Sequence, residues 1–349
     1  MDPQFSTVEK ANEMALSKNA APFFSIIIPA YNAAHLIVDA LNSVLAQTIK
    51  DYEIILVNDG SPDTPQLEKA LEPYLNYITY ITRPNGGPAA ARNSGINVAR
   101  GKYIAFLDSD DQWVPNHLAE MKAVFERDPT IDLVYGDAVN FGENAVEGGT
   151  TMSANPSEGL ATFESLVLCK CTVIGSTVVA RRQALIDAGL FDESFMQGED
   201  FDLWARVAYY GGRIDYRKHI HARRRIHKGN LTVDTIGSFL GQAKALRKLI
   251  NELDLPESLR QDMQKEIEKC DAAAALYKCK QQLVAKRYQE AVAELRRANA
   301  AYRSRKLQVV LYLMRTMPRL VRHLYLRQQN NGTPGTNSVR VLMKFIAGS

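Results

Sequence analysis

No stretch of this sequence approaches the roughly 18 consecutive apolar residues that a membrane-spanning helix needs. The first 25 residues lack a basic start followed by an apolar core, so no secretory signal is expected. Cysteine is scarce: Cys169, Cys171, Cys270 and Cys279 are the four in 349 residues, too few for a disulfide scaffold. We read them as reduced thiols in a cytosolic chain. Cys169 and Cys171 form only a CxC pair with no His or Cys at zinc-finger spacing, so they read as small buried residues. There is no GxGxxG and no Walker loop, which removes support for a dinucleotide oxidoreductase or a P-loop enzyme. Residues 301–349 contain no Asp or Glu at all, yet carry nine Lys/Arg.

What is present is an ordinary globular composition, 46% hydrophobic and 23% charged, which excludes a disordered or fibrous chain. The length suggests about two domains. The formal net charge of +3 hides an acidic body and a basic C-terminal segment, which suggests that this segment meets an anionic partner.

Short apolar runs alternate with helical patterns after a polar leader over 1–22. Phe24 to Ile28 reads as a buried β-branched strand ended by Pro29. Leu36, Ile37, Ala40, Leu41, Val44 and Leu45 lie on one helical face. Further strands are expected at 53–57, 77–81, 103–107 and 131–135, with helices over 88–100 and 115–127. This alternation predicts an α/β fold with a mostly parallel sheet. Ligands of such sheets bind beyond the carboxyl ends of the strands. Four polar segments fall there: Pro29, Ala30, Tyr31 and Asn32; Asn58 to Ser61; Arg83 to Gly87; and Asp108 to Asp111. After about residue 235 the pattern becomes long helices. Residues 276–298 resemble half of a tetratricopeptide unit through Tyr288, Ala291 and Ala298, but a single copy reads as a helical hairpin.

Leu107-Asp108-Ser109-Asp110-Asp111 is the sharpest local signal. Two carboxylates, two residues apart at a strand end, suit a hard divalent cation shared with substrate phosphates. The same residues also suit an Asx turn or a helix start. Asp59 suits a base N–H or a ribose hydroxyl, or a simple turn before Gly60. Asn85, Gly86 and Gly87 open a helix whose N-terminus favours anions. Arg92, one turn on, suits a diphosphate, or equally a solvated position on the helix. Asp200 suits a general base and equally a helix N-terminal acid. Trp204, a turn later, either walls an acceptor pocket or belongs to the core. If 219–227 is a strand, His219, His221, Arg223, Arg225 and His227 share one face; the alternative is an edge strand with a solvated face.

FSIIIPAYN, EIILVNDGS, NGGPAAARNSG, YIAFLDSDD, GLFDESF and GEDFDLWAR, in this order, resemble a family 2 inverting glycosyltransferase of the GT-A fold over residues 23–230. No single motif is specific; the ordered set is. The resemblance implies a nucleotide-sugar donor, UDP-sugar by preference, Mn2+ or Mg2+, and single displacement with inversion. It implies nucleoside contacts at Pro29, Tyr31 and Asp59, a DxD metal and diphosphate site at Asp108 and Asp110, and a catalytic base at Asp200 beside Glu199. It also implies a C-terminal RxH pair, Arg225 and His227, with His227 as a further metal ligand. Asn58 departs from the family's usual second Asp, and Arg223 to Ile226 lacks the usual aromatic.

The expected organisation is a catalytic domain over 23–235, an α-helical extension over 236–329 and a flexible tail over 330–349. The expected acceptor is a glycan or lipid-linked glycan, in surface polysaccharide or glycolipid assembly. Between Arg303 and Arg327, apolar residues at Leu307, Val310, Leu311, Met314, Val321 and Leu324 alternate with basic ones, and Pro318 splits the helix. That suits an amphipathic helix lying on anionic lipid over 303–328, at the cytoplasmic face of the plasma membrane; it equally suits a helix packed on the catalytic domain. Nucleic-acid binding is not expected, because no recognised module accompanies the charge. The rivals are a sugar-nucleotide pyrophosphorylase and a non-catalytic scaffold. PAYN where a Gly-rich, Arg-containing loop is needed argues against the first, and intact Asp108, Asp110 and Asp200 against the second.

Overall fold

The structure is a computed structural model describing residues 21–142, 149–154, 157, 160–227 and 234–331. Most of the expected leader and all of the tail beyond residue 331 lie outside the described residues. The chain divides into two compact units, Met1–Gly229 and Asn230–Ser349.

The first unit is built on eight strands: β1 (Phe24–Ala30), β2 (Tyr52–Asp59), β3 (Ile78–Arg83), β4 (Tyr103–Phe106), β5 (Gln112–Trp113), β6 (Ile131–Phe141), β7 (Val179–Arg181) and β8 (Arg213–Arg225). They form one sheet in the order β3-β2-β1-β4-β7-β6-β8-β5. The pairs β1–β2, β1–β4, β2–β3 and β6–β8 are parallel; β4–β7, β6–β7 and β5–β8 are antiparallel. The helices are α1 (Ile37–Leu45), α2 (Thr64–Leu71), α3 (Gly87–Val98), α4 (His117–Arg127), the short α5 (Thr151–Ala154), α6 (Phe163–Val167) and α7 (Arg182–Asp187), then α8 (Glu199–Tyr209).

Ile26, Ile27 and Ile28 of β1 are fully buried, as a continuous apolar run in a covered strand requires. Each contributes about 1.5–3 kcal/mol of burial. Helix α3 packs on β1 and β2, and Gly95 permits the approach: a Cβ there would sit 2.7 Å from Ile27 Cγ2. Register then positions the site. Ala30 pairs with Asn58, and Asn58 with Thr82, so the loops after β1, β2 and β3 leave the sheet at one level. Ile27 pairs with Phe106, so β4 delivers Asp108 to the same edge.

The strand expected at 77–81 lies at 78–83, and that at 131–135 runs on to Phe141. β5 and β7 escaped sequence reading because two or three residues carry no measurable alternation.

The second unit comprises α9 (Thr235–Glu252), α10 (Glu257–Val284), α11 (Tyr288–Tyr302), α12 (Arg305–Thr316) and α13 (Pro318–Asn331). Pro318 opens α13 at a position where its missing N–H costs nothing. The apolar stripe expected to lie on lipid or on the catalytic domain packs inside this unit instead. Leu307, Val310, Leu311, Met314 and Val321 are not available to lipid; they are buried against Cys279, Leu283, Ala291 and Leu295. The same periodicity that makes an interfacial helix also makes an ordinary packed one. The packing partners are α10 and α11 of this unit. Among the described residues no helix is long and apolar enough to cross a membrane.

Candidate functional site

The loops at the carboxyl edge are tied to one another. Asn32, at φ 51, donates its N–H to Ser61 Oγ at 2.6 Å, and Ala34 N–H donates to Asp63 Oδ2 at 2.9 Å. Pro29 is half-buried, Ala30 buried, and Tyr31 is 53% exposed, leaving its ring open to a ligand. Asn58 clamps the turn internally: its Oδ1 accepts from Ser61 N–H, and its Nδ2 donates to Thr64 Oγ1 and Tyr80 OH, all at 2.9 Å. The departure from the family pattern at this position thus has a structural use.

Asp59 is buried. Its carboxylate accepts from Gly86 N–H at 3.1 Å and Gly87 N–H at 2.7 Å, and Arg83 Nε lies 3.5 Å away. The first N–H groups of α3 are therefore met by a carboxylate from β2, where the sequence suggested an incoming anion. Asn85 stands exposed at the tip of this loop, with Gly86 half-buried behind it.

Arg92 joins the next two elements. Its Nη1 donates to Glu199 Oε1 at 2.7 Å and its Nη2 to Asp108 Oδ1 at 2.8 Å, and the guanidinium is almost fully buried. Burial opposes its charge, but its two acidic partners outweigh that and raise its pKa. Glu199 and Asp200 begin α8, where the helix macrodipole favours acids. Burial and the neighbouring Asp200 push Glu199 up to about 7, against the pull of Arg92. Asp200 is also raised, chiefly by burial, although Arg92 opposes it. Its Oδ1 accepts from Phe201 N–H at 2.7 Å. Trp204 is buried against Phe106 and Phe191, at centroid distances of 5.9 and 5.8 Å, and belongs to the core.

Beyond β4 the acidic segment meets the end of β8. His227 Nε2 lies 3.0 Å from Asp110 Oδ2. Arg225 Nε donates to the Asp110 carbonyl at 3.1 Å and Nη2 to Asp39 Oδ2 at 2.5 Å, while its guanidinium stacks 4.6 Å from the Phe141 centroid. Arg225 thus orders the acidic loop. Ser109 is half-buried between the two aspartates. Asp111, the last residue of the acidic motif, is buried and accepts from Ser176 Oγ at 2.6 Å and Arg225 N–H at 2.8 Å. Burial and the charges of Asp110 and Asp108 push it up to about 8. Its signal was the third acid of LDSDD; Ser176 and Asp39 had none.

Among the described residues no three His, Cys, Asp or Glu side chains close into a metal cage. A cation shared with a donor's phosphates needs fewer protein ligands than a closed cage. Asp110 and His227 supply oxygen and imidazole nitrogen, and burial, then the nearby charge of Asp108, raise the proton affinity of Asp110. This donor set suits Mn2+ or Mg2+ completed by phosphate oxygens and water.

The polar stripe expected along β8 is not one face. Gly136 pairs with Arg217, Asp137 with Ile220 and Ala138 with Ala222, so bulges break the alternation. Ile220 comes out to solvent and His221 turns inward, fully buried. Its ring occupies the space a side chain at Gly136 would need, with Cδ2 2.0 Å from that Cβ position. Its Nδ1 lies 3.3 Å from Nδ1 of His117, also buried. His219 stays exposed, 3.2 Å from Glu120.

The sequence profile of glycosyl transferase family 2 matches residues 25–185. WfgD of Escherichia coli, a UDP-Glc:alpha-D-GlcNAc-diphosphoundecaprenol beta-1,3-glucosyltransferase, is 34% identical over 184 residues, 52% of this chain and 68% of that one. Three Rickettsia glycosyltransferases are 30–31% identical, but the alignments span only 30–34% of their own length. Among solved structures, TarS of S. aureus with UDP-GlcNAc matches at TM-score 0.57 and 19% identity, over 90% of this chain and 93% of that one. The mannosyltransferase PcManGT of Pyrobaculum calidifontis, with GDP-Man and Mn2+, matches at TM-score 0.59 and 19% identity, over 97% and 90%. Both are GT-A-like, and the sheet described above has the same architecture. The ordered motifs, the profile and the WfgD alignment make this chain a member of glycosyl transferase family 2.

Proposed function

We propose that the chain transfers a sugar from a nucleotide-sugar donor, by preference a UDP-sugar, to a hydroxyl of a glycan or lipid-linked glycan, with inversion, in surface polysaccharide or glycolipid assembly at the cytoplasmic face of the plasma membrane. The observation that carries this reading is the Arg92 fork, which holds Asp108 of the acidic loop and Glu199 of the α8 start in one cluster. Diphosphate chemistry and proton removal need to be this close for one displacement step.

In that step the acceptor oxygen bonds to the anomeric carbon as the bond to the diphosphate oxygen breaks. Asp200 takes the hydroxyl proton, and the raised affinity of its carboxyl for a proton suits a base. Glu199, clamped by Arg92, fixes the first turn of α8 and with it the position of Asp200. Asp110 and His227, with Asp108 beside them, would hold a divalent ion, which when bound supplies positive charge to the departing diphosphate. Tyr31, Asn32 and Asp59 would contact the nucleoside; they share the carboxyl edge of the sheet with Asn85 and Gly86. Arg225 acts through the backbone of the acidic loop. The WfgD name, with its UDP-sugar donor and diphosphoundecaprenol-linked acceptor, supports the donor and acceptor classes.

The test is a thermal-shift screen of nucleoside diphosphates and nucleotide sugars, with and without Mn2+ or Mg2+. A native-state ligand raises the melting temperature by mass action. The expected result is a metal-dependent rise with one nucleotide, UDP first. No rise with any nucleotide would overturn the donor-site reading.

A further inference from the structure

Helices α12 and α13 have a second surface, opposite the stripe that packs into the helical unit. Leu307, Val310, Leu311 and Met314 of α12 point into that core, as do Val321 and Tyr325 of α13. On the other side of α12, Arg305, Val309, Tyr312 and Thr316 recur at helical spacing, all exposed. Leu320, His323 and Arg327 do the same on α13, and Met317 lies between the helices. Val309 is 55% exposed, Tyr312 66%, Met317 47% and Leu320 48%. Large apolar side chains are thus set among Arg303, Arg305, Arg315 and Arg319 along two successive helices. Residues 301–349 hold no acid that could neutralise them.

We propose that this outer face of α12 and α13 is a docking surface for anionic lipid. The amphipathic stripe visible in the sequence is spent on folding; the membrane-facing stripe is the other one. Charge complementarity selects the occupant. Arginines attract anionic headgroups, and apolar residues with a tyrosine among them suit the boundary between headgroup and acyl chain. A protein partner would have to carry an acidic patch of its own to complement this run of arginines, and a second copy of this positively charged face would be repelled. The inference deepens the lipid-linked acceptor reading, since it would hold the enzyme beside such an acceptor, and it rests on that reading only for its purpose.

The experiment is vesicle co-sedimentation of the full chain, using phosphatidylcholine alone or with roughly 30% phosphatidylglycerol at about 0.1 M salt, where surface charge is only partly screened. Binding is expected to the anionic vesicles and not to phosphatidylcholine. Each basic residue near such a surface is worth about fivefold in partitioning. The variant R305Q/R315Q/R319Q/R327Q should therefore bind several hundred-fold more weakly, by the same per-residue factor. V309S/Y312S/L320S should also lose binding, by at least about tenfold from the apolar contribution. Both variants alter exposed positions only, and unchanged far-UV circular dichroism and melting confirm that the helices persist. Any of three results would overturn the proposal: equal binding to both vesicle types, binding unchanged in the two folded variants, or no binding to the anionic vesicles, whether or not a concentration-dependent dimer lost in the triple variant takes its place. RNA retention with no vesicle binding would equally reject lipid. Transfer to a water-soluble acceptor should be unaffected in both variants. If transfer is absent in the wild type while the vesicle pattern holds, the catalytic reading fails and the surface stands.

Discussion

Replacing Arg92 by methionine removes the guanidinium that holds Asp108 and Glu199 and leaves a hydrophobe of similar reach. Breaking a buried ion pair by deleting one partner costs about 3–5 kcal/mol. Two features pull the expected value to the lower end. Asp108 is partly solvated, and Glu199, already pushed up to about 7, can escape by taking a proton once Arg92 no longer opposes it. About 3 kcal/mol corresponds to a fall in melting temperature of roughly 6–12 °C for a unit of this size. The escape route gives the loss a pH signature. In the variant, folded Glu199 binds its proton more tightly than the unfolded chain does. Stability then falls as pH rises from the unfolded carboxyl range toward the raised folded value. The loss should be smaller at pH 5 than at pH 8, by calorimetry or circular dichroism. R92M/E199Q, with no charge left to strand at Glu199, should regain most of the stability at pH 8 and stay inactive, because Asp108 is still unclamped. R92K should fall between, since one ammonium does not reproduce the fork. An R92M protein that melts within about 1 °C of wild type at pH 8 and turns over normally would refute the reasoning; the margin is small against the 2–4 °C that one kcal/mol moves.

Asp200→Asn should leave metal-dependent nucleotide binding near normal while transfer falls by at least about a hundredfold, the range of a general base; retained turnover would remove Asp200 from that role. Asp110→Ala should abolish the Mn2+-dependent part of the nucleotide thermal shift and leave the metal-free part, and an unchanged metal dependence would sink the assignment of Asp110 and His227. The buried pair His117 and His221 predicts acid sensitivity. Burial holds His117 well below its ordinary range and His221 down to about 4, with Glu120 of α4 favouring the charged form of His221 and His219 and Arg217 of β8 opposing it. As pH falls below about 6.5 the unfolded chain takes up protons that the folded one refuses, so stability declines by about 1.4 kcal/mol per pH unit for each such group. Chemical denaturation between pH 7 and 5 checks this, and a decline unaltered by His221→Gln would mean other groups carry it.

How much of this was legible depends on how far each signal is local. β1 and β2 read directly because a strand covered on both faces is apolar along nearly its whole length: Phe24, Ile26 to Ile28 and Ile54 to Val57 are buried, with Ser25 the one polar residue among them. The convergence of four polar segments followed from the strand ends and is what the register delivers. The partners of those segments were not legible. Asp59 reads the same whether it awaits a ribose or caps α3, and only the fold brings Gly86 and Gly87 to it across 27 and 28 residues of chain. Arg92 reads in the sequence as a residue for a diphosphate, because its two acidic partners lie 16 and 107 residues away. The basic segment showed its amphipathic period plainly, but period does not say which hydrophobic surface is on the other side. β8 misled for a different reason: alternation presumes an unbroken ladder, and its bulges break it.

Those bulges set the phase of the site. Arg217 to Ala222 runs opposite Gly136 to Ala138, five steps against two. The surplus is odd, so it exchanges inward and outward positions for everything downstream, through Arg225 and on toward His227. The strand therefore behaves as two segments with independent timing. The half before the bulges is timed by its hydrophobic contacts, and the half after them by its place beside Asp110 and Asp111. Added or lost residues could accumulate within the bulged stretch without mistiming the end that carries Arg225 and His227, provided their parity is kept. A single-residue deletion after Ala222 would leave the sheet paired and the motif recognisable, yet would swing His227 away from Asp110.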